Sequence, residues 1–128
     1  MAKRRMFSKQ ITETGKFYLL TPLAQLLYFH MGMMADDDGF VDCYTIMRSL
    51  DATSKELDEL IDRGYVKLLT GEEYICFITA WFESNSIRND RYNPSEYHDR
   101  LYEVSGGKAG ELPNNGTIKT GIMRVKAN

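Results

Sequence analysis

The chain is poor in the residues from which covalent or catalytic frameworks are built. Its 128 residues include two cysteines, Cys43 and Cys76, too few for a disulfide scaffold or a four-ligand zinc site. They are expected to be half-buried thiols of a cytoplasmic protein. No apolar run approaches the roughly 18–20 residues of a membrane span. The basic start, Met1-Ala-Lys-Arg-Arg-Met-Phe7, lacks the apolar segment that would make it a secretory signal. Membrane insertion and export are therefore not expected. The two histidines, His30 and His98, sit in no motif, no glycine-rich phosphate loop occurs, and Cys43 is distant in sequence from both. The Asp36-Asp37-Asp38 run lacks the spaced oxygen ligands and distal glutamate of a calcium loop. Nothing here points to an enzyme, a metal or a cofactor, and no internal repeat is visible.

Hydrophobic residues make up 43% of the chain and charged residues 27%, as in ordinary globular domains. The length suits one domain with a sizeable core. The net charge of −2 hides a separation along the chain. Residues 1–16 carry five Lys or Arg against one Glu, a balance of +4. Residues 36–73 carry eleven Asp or Glu against four Lys or Arg, a balance of −7. A polyanion would be met by the basic arm rather than by the acidic body.

The organising stretch is the uncharged run from Phe17 to Ala35, followed by Asp36-Asp-Asp-Gly39. A short helix around Thr14–Leu20 would place Phe17 and Leu20 on one side. Thr21 before Pro22 predicts a capped helix start. From there Leu23, Leu26, Leu27, His30, Met31 and Met34 recur at helical spacing and predict an inward face. His30 is read as a core histidine and the methionine cluster as core filler. Gly39 and the short carboxylates before it predict a turn. Asp42 is a candidate cap for a helix over Cys43–Leu50, with Ile46, Met47 and Leu50 inward. Thr53-Ser-Lys-Glu56 is a capping box opening a helix to Arg63, with Leu57, Leu60 and Ile61 inward and Gly64 as the stop. Tyr65–Leu69 and Tyr74–Ile78 read as strands joined through Thr70-Gly-Glu-Glu73, with Gly39–Val41 as a third. Trp81 and Phe82 are expected to close the core.

The expected fold is therefore α+β: a winged helix-turn-helix of three main helices and a small antiparallel wing. An extended basic arm and short helix (1–20) precede the core (21–83). A polar Arg/Tyr segment with a weak helix over Ser95–Tyr102 (84–102) and a flexible glycine-rich tail (103–128) follow it.

In many winged helices the third helix enters the major groove. Here its outward positions are Lys55, Glu56, Asp58, Glu59, Asp62 and Arg63, two cations against four carboxylates. Carboxylates repel phosphates, whose neutralisation supplies most of DNA affinity, so Glu56 and Glu59 are assigned to a protein interface instead. The candidate nucleic-acid contacts are Lys3, Arg4, Arg5 and Lys9 of the arm, Lys67 of the wing, and Arg88, Arg91 and Tyr92 of Ile87-Arg-Asn-Asp-Arg-Tyr92. Cations interleaved with aromatics suit backbone tracking and base stacking. A solvated terminus and ion pairs to the acidic body are the bland alternatives for these segments. On the first long helix Tyr28, Phe29 and Met33 lie off the predicted inward stripe. They would either form a self-association patch or be covered by Phe7, Phe17 and Tyr18.

Together, Arg4-Arg-Met-Phe-Ser-Lys9, Ala24-Gln25 with Leu27-Tyr-Phe-His30, Ala35-Asp-Asp-Asp-Gly-Phe-Val41 and Ile87-Arg88 with Asp90-Arg-Tyr92 resemble phage replisome organisers. These are DnaD-like replication initiation proteins of phages of low-GC Gram-positive bacteria. The resemblance covers about residues 3–101. It implies a winged helix in the bacterial host cytoplasm that helps bind the phage origin, self-associates, and helps bring in a helicase loader or helicase. The competing expectation is a winged-helix protein-interaction module or transcriptional repressor.

Overall fold

The computed structural model describes residues 6–85 and 92–104. In chain order these form α1 (Lys9–Thr12), α2 (Gly15–Tyr18), α3 (Pro22–Met34), β1 (Phe40–Asp42), α4 (Tyr44–Leu50), α5 (Ser54–Asp62), β2 (Val66–Leu68), β3 (Ile75–Ile78) and α6 (Trp81–Ser84). A 3-10 turn over His98–Arg100 then runs into α7 (Leu101–Val104). The architecture is α+β, with helices packed against one three-stranded antiparallel sheet in the order β1-β3-β2.

Local chemistry explains most boundaries. Thr21 caps α3 by accepting from the Ala24 amide, and Pro22 takes the first turn, where its missing N–H costs nothing. The Glu59 carboxylate in turn accepts from the Thr21 amide at 2.7 Å and its hydroxyl at 2.9 Å, tying the start of α3 to α5. The capping box of α5 is complete: Glu56 accepts from the Thr53 amide at 2.8 Å while the Thr53 hydroxyl serves the helix. α4 departs from expectation. It begins at Tyr44, and Cys43 occupies the cap position without a side-chain capping bond, although the Asp42 carboxylate still accepts from the Tyr44 amide. Ile46 and Met47 point inward, but Leu50 is only half buried.

The inward face of α3 differs from the predicted one. Ala24, Leu27, Tyr28 and Met31, with Ala35 just past the helix, are buried, while Leu26, His30, Met33 and Met34 are exposed. His30 is therefore not a core histidine. The reason is that an uncharged helix offers apolar side chains on every side, so periodicity alone cannot select the core face. Aromatic packing selects it instead. Phe17 makes edge contacts with Tyr28, Phe29 and Tyr65 at centroid distances of 5.5, 5.6 and 5.5 Å. Phe7 packs on Phe29 at 5.1 Å. A Cβ on Gly32 would sit 2.5 Å from the Phe7 ring, so glycine is what lets that ring seat. Phe7 and Phe17 thus cover the aromatic side of α3; Tyr18 is exposed and donates to Glu13.

The sheet follows the expected pairing, Phe40 opposite Phe77 and Lys67 opposite Phe77 from the other side. Every residue of β3 is buried. Cys43 and Cys76 are free thiols, fully rather than half buried. Trp81 is buried and Phe82 packs on the core. The helix expected over Ser95–Tyr102 is displaced toward the C-terminus: Ser95–Tyr97 are irregular, and helix extends to Val104. Leu101 and Val104 belong to the core, so the ordered body reaches past residue 102.

Candidate nucleic-acid interface

Of the proposed DNA contacts, Lys3, Arg4, Arg5, Arg88 and Arg91 lie outside the described residues. Two described residues near these segments meet: Met6, next to Arg5, and Asn85, three residues before Arg88. The Asn85 side chain accepts from the Met6 amide at 2.9 Å and donates to the Met6 carbonyl at 3.3 Å and the Trp81 carbonyl at 3.4 Å. Residue 5 is one peptide bond from Met6 and residue 86 one from Asn85. The roots of the two basic segments are thus bonded to each other across 79 positions of sequence. Sequence reasoning missed Asn85. An asparagine in a polar, turn-rich stretch has many fates, and nothing local signals a partner at the other end of the chain.

The cations that are described fall into two groups. Lys9 is exposed at the start of α1, and Lys55 and Arg63 are exposed on or just after α5, while Lys16 of α2, also exposed, holds its ammonium 5.1 Å from the Tyr65 ring centroid. Lys67 is exposed as well, but its ammonium donates to the Val104 carbonyl at 2.9 Å, which assigns it a structural bond. Arg48 donates to the Tyr44 hydroxyl at 3.0 Å. Arg100 bonds Glu103 at 2.8 Å and the Thr70 carbonyl at 2.6 Å.

Tyr92 is engaged within the body. Expected as a stacking platform, it is half buried and donates its hydroxyl to Asp38. Asp38 is 0% exposed and Asp37 1%. Such carboxylates require donors around them, and the donors come from one segment. The Ser95 amide and His98 Nδ1 lie 2.9 and 2.8 Å from Asp38 Oδ2, and the Asn93 amide lies 2.9 Å from Asp37 Oδ2. Burial first, and then the Asp38 charge, push the Tyr92 phenol far above its ordinary range. Among the turn carboxylates, only Asp36 does what the sequence suggested. Its Oδ1 accepts from the amides of Asp38 and Phe40 at 3.0 and 2.9 Å, although burial raises its pKa. His98 Nε2 is buried and has no hydrogen-bond partner among the described residues. Sealed in this way, the Asp38–His98 pair is placed to hold residues 92–104 against the body rather than to reach a substrate.

The proposed protein-interface residues divide similarly. Tyr28 is buried and unavailable, Phe29 is half buried beneath Phe7, and Met33 is exposed. Glu56 and Glu59 are committed to Thr53 and Thr21, and the Thr53 amide lowers the Glu56 pKa. The outward charge of α5 left for a partner is Lys55, Asp58, Asp62 and Arg63, all exposed. Beyond α3, a cleft of about 340 Å³ opens between β1 and residues 93–97, with Asp36, Asp42 and Glu96 around Met34, Phe40 and Ile75. Its charge suits a cation and repels phosphate.

No group of His, Cys, Asp or Glu among the described residues is arranged to hold a metal ion. No helix among them is long and apolar enough to cross a membrane. No family model, curated protein or solved structure matches this chain.

Proposed function

We propose that the body is a winged helix-turn-helix, with α3, α4 and α5 as its helices and the β2–β3 hairpin as its wing. It acts without enzymatic activity in DNA replication initiation of the phage replisome-organiser type, in the cytoplasm of a bacterial host. DNA is held by the basic flanks, Lys3, Arg4, Arg5 and Lys9 with Arg88 and Arg91, rather than by α5. The body self-associates, and a helicase loader or helicase is the further partner that the resemblance suggests. The observation that supports this reading is the Met6–Asn85 pairing, which joins the residue after Arg5 to a residue three positions before Arg88. Cations clustered at one place neutralise neighbouring phosphates.

Fluorescence anisotropy with duplex and single-stranded DNA across a salt series tests it. Replacing Arg4 and Arg5 by Ala is expected to weaken binding about equally for all sequences. It should also flatten the salt dependence by about one unit of slope for each phosphate that is no longer neutralised. Asp58→Lys with Asp62→Lys is expected to leave binding unchanged or stronger; these are the residues to reverse, because Glu56 and Glu59 hold helix caps. Absence of binding at low salt would overturn the DNA reading. A second reading, a winged-helix module that binds protein, is favoured by the exposed apolar residues of α3, and it predicts that same absence.

A further inference from the structure

The cleft between β1 and residues 93–97 has the two linings that a long cationic side chain needs. Its floor is apolar, made by Phe40 and Ile75, both buried, and the Tyr97 ring faces that of Phe40 with centroids 5.6 Å apart. Its rim carries Asp36, Asp42 and Glu96. Asp42 and Glu96 are exposed and Asp36 is half buried. None of the three takes part in an ion pair among the described residues. Burial is the main cause of the raised Asp36 pKa, as for a carboxylate with no cation beside it. At about 340 Å³ the space falls in the size range of small-ligand sites.

A strand edge borders the same cleft. Along β1 and its flanks, alternate residues bond β3. The Gly39 carbonyl accepts from the Ile78 amide at 3.0 Å, the Cys43 amide donates to the Tyr74 carbonyl at 3.0 Å, and Val41 lies opposite Cys76 between them. Phe40 and Asp42 therefore turn their amides and carbonyls the other way. Those of Phe40 are taken by Asp36, whose carboxylate accepts from the Phe40 amide at 2.9 Å and whose amide donates to the Phe40 carbonyl at 2.8 Å. The amide and carbonyl of Asp42 have no partner among the described residues.

We infer that this cleft binds a basic segment of a partner protein, which adds beside β1 as an extended strand and seats an arginine side chain in the cleft. A residue placed directly opposite Asp42 exchanges both main-chain bonds with it and puts its side chain on the same face of the sheet. That face carries Phe40, and Ile75 opposite Asp42. The methylenes of arginine lie on this floor while the guanidinium reaches the carboxylates of the rim. Charge and strand edge together choose the occupant. The rim repels a nucleic acid. An apolar helix would leave the carboxylates unpaired and offer the edge no main-chain bonds. The site is thus separate from the DNA contacts proposed above.

Fluorescence anisotropy of the full chain with the labelled peptide Ala-Val-Arg-Val-Ala measures the site, with leucine in place of arginine as the control. The arginine peptide should bind roughly tenfold or more tighter than the leucine peptide, through its charge-assisted bonds. Asp42→Asn with Glu96→Gln, both at exposed positions, should keep the thermal midpoint of the parent and weaken the arginine peptide roughly tenfold. N-methylation of the peptide's arginine removes the amide that faces Asp42 and should weaken binding likewise. Amide shifts in NMR spectra should centre on Asp42 and residues 93–97. No binding at millimolar peptide, equal affinity for the two peptides, or shifts centred elsewhere would overturn the inference. Full affinity of the N-methylated peptide would overturn the strand pairing. A chain lacking residues 1–5 that binds the peptide roughly tenfold tighter would identify its own basic start as the occupant and overturn the partner reading.

Discussion

Asp38 is the residue on which most polar interactions of the C-terminal segment converge. It accepts from the Tyr92 hydroxyl and the Ser95 amide and contacts His98, while wholly removed from water. Removing a buried acceptor strands its donors, each at about 1–3 kcal/mol. Asp38→Ala is therefore expected to destabilise the protein by about 3 kcal/mol or more, read as a fall in the urea midpoint. Tyr92 gives a second, pH-resolved expectation. Its folded pKa lies above its ordinary value of 10.0. The unfolded chain therefore loses the phenolic proton first, and the bond contributes fully below pH 10 and is lost progressively above it. Tyr92→Phe should lower stability at neutral pH by about 1–2 kcal/mol and reduce the decline on going above pH 10. Unfolding curves at neutral and alkaline pH compare the two chains. None of this was legible in sequence. Three successive aspartates before a glycine read as a turn, and Asp36 behaves so, but the donors for Asp37 and Asp38 lie 54–60 positions away. Conversely, Tyr92 beside Arg91 carries the surface signature of a nucleic-acid contact, and its hydroxyl is engaged elsewhere.

At the level of elements, caps were the most legible feature because their partners lie within a turn. Thr53→Ala removes the hydroxyl side of the α5 capping box, and a loss of about 1 kcal/mol is expected in denaturant titration. The glycine of the turn before β1 is constrained twice. Gly39 has a φ of +90°, and a Cβ there would lie 2.6 Å from the Trp81 ring. That ring is itself fixed by its Nε1–H bond to the Asp37 carbonyl at 3.0 Å. Gly39→Ala should cost about 2 kcal/mol or more through strain and displacement of the indole, again read in the urea midpoint. The facing of α3 shows where pattern reading runs out. Leu23, Leu26, His30 and Met34 form as good a stripe as Ala24, Leu27, Tyr28 and Met31. What decides between them is Phe7 and Phe17, which come from elsewhere and need the Tyr28 and Phe29 side. α4 illustrates a smaller loss: Asp42 does bond the amide of Tyr44, but the helix starts one residue late because Asp42 is still paired in β1.

For the whole molecule, the α+β class and the strand pairing followed from alternation, turn glycines and capping motifs, all short-range signals. The tethering of the chain ends did not. Met6 is held by Asn85, and the 92–104 segment is held by the 36–38 turn and by Lys67 at Val104. These bonds have consequences in time. They join positions 37–79 apart in sequence, so their closure must follow formation of the helices and sheet that bring the partners near. The peripheral bonds should then form after the folding barrier has been crossed. Met6 and the 92–104 segment would be the last parts to settle during refolding and the first to open in the native state. Weakening Asn85 should accordingly speed unfolding while leaving the refolding rate almost unchanged. In native-state hydrogen exchange, the amides of Met6, Asn93 and Ser95 should exchange together through an opening smaller than global unfolding, while those of β3 wait for the whole body to come apart.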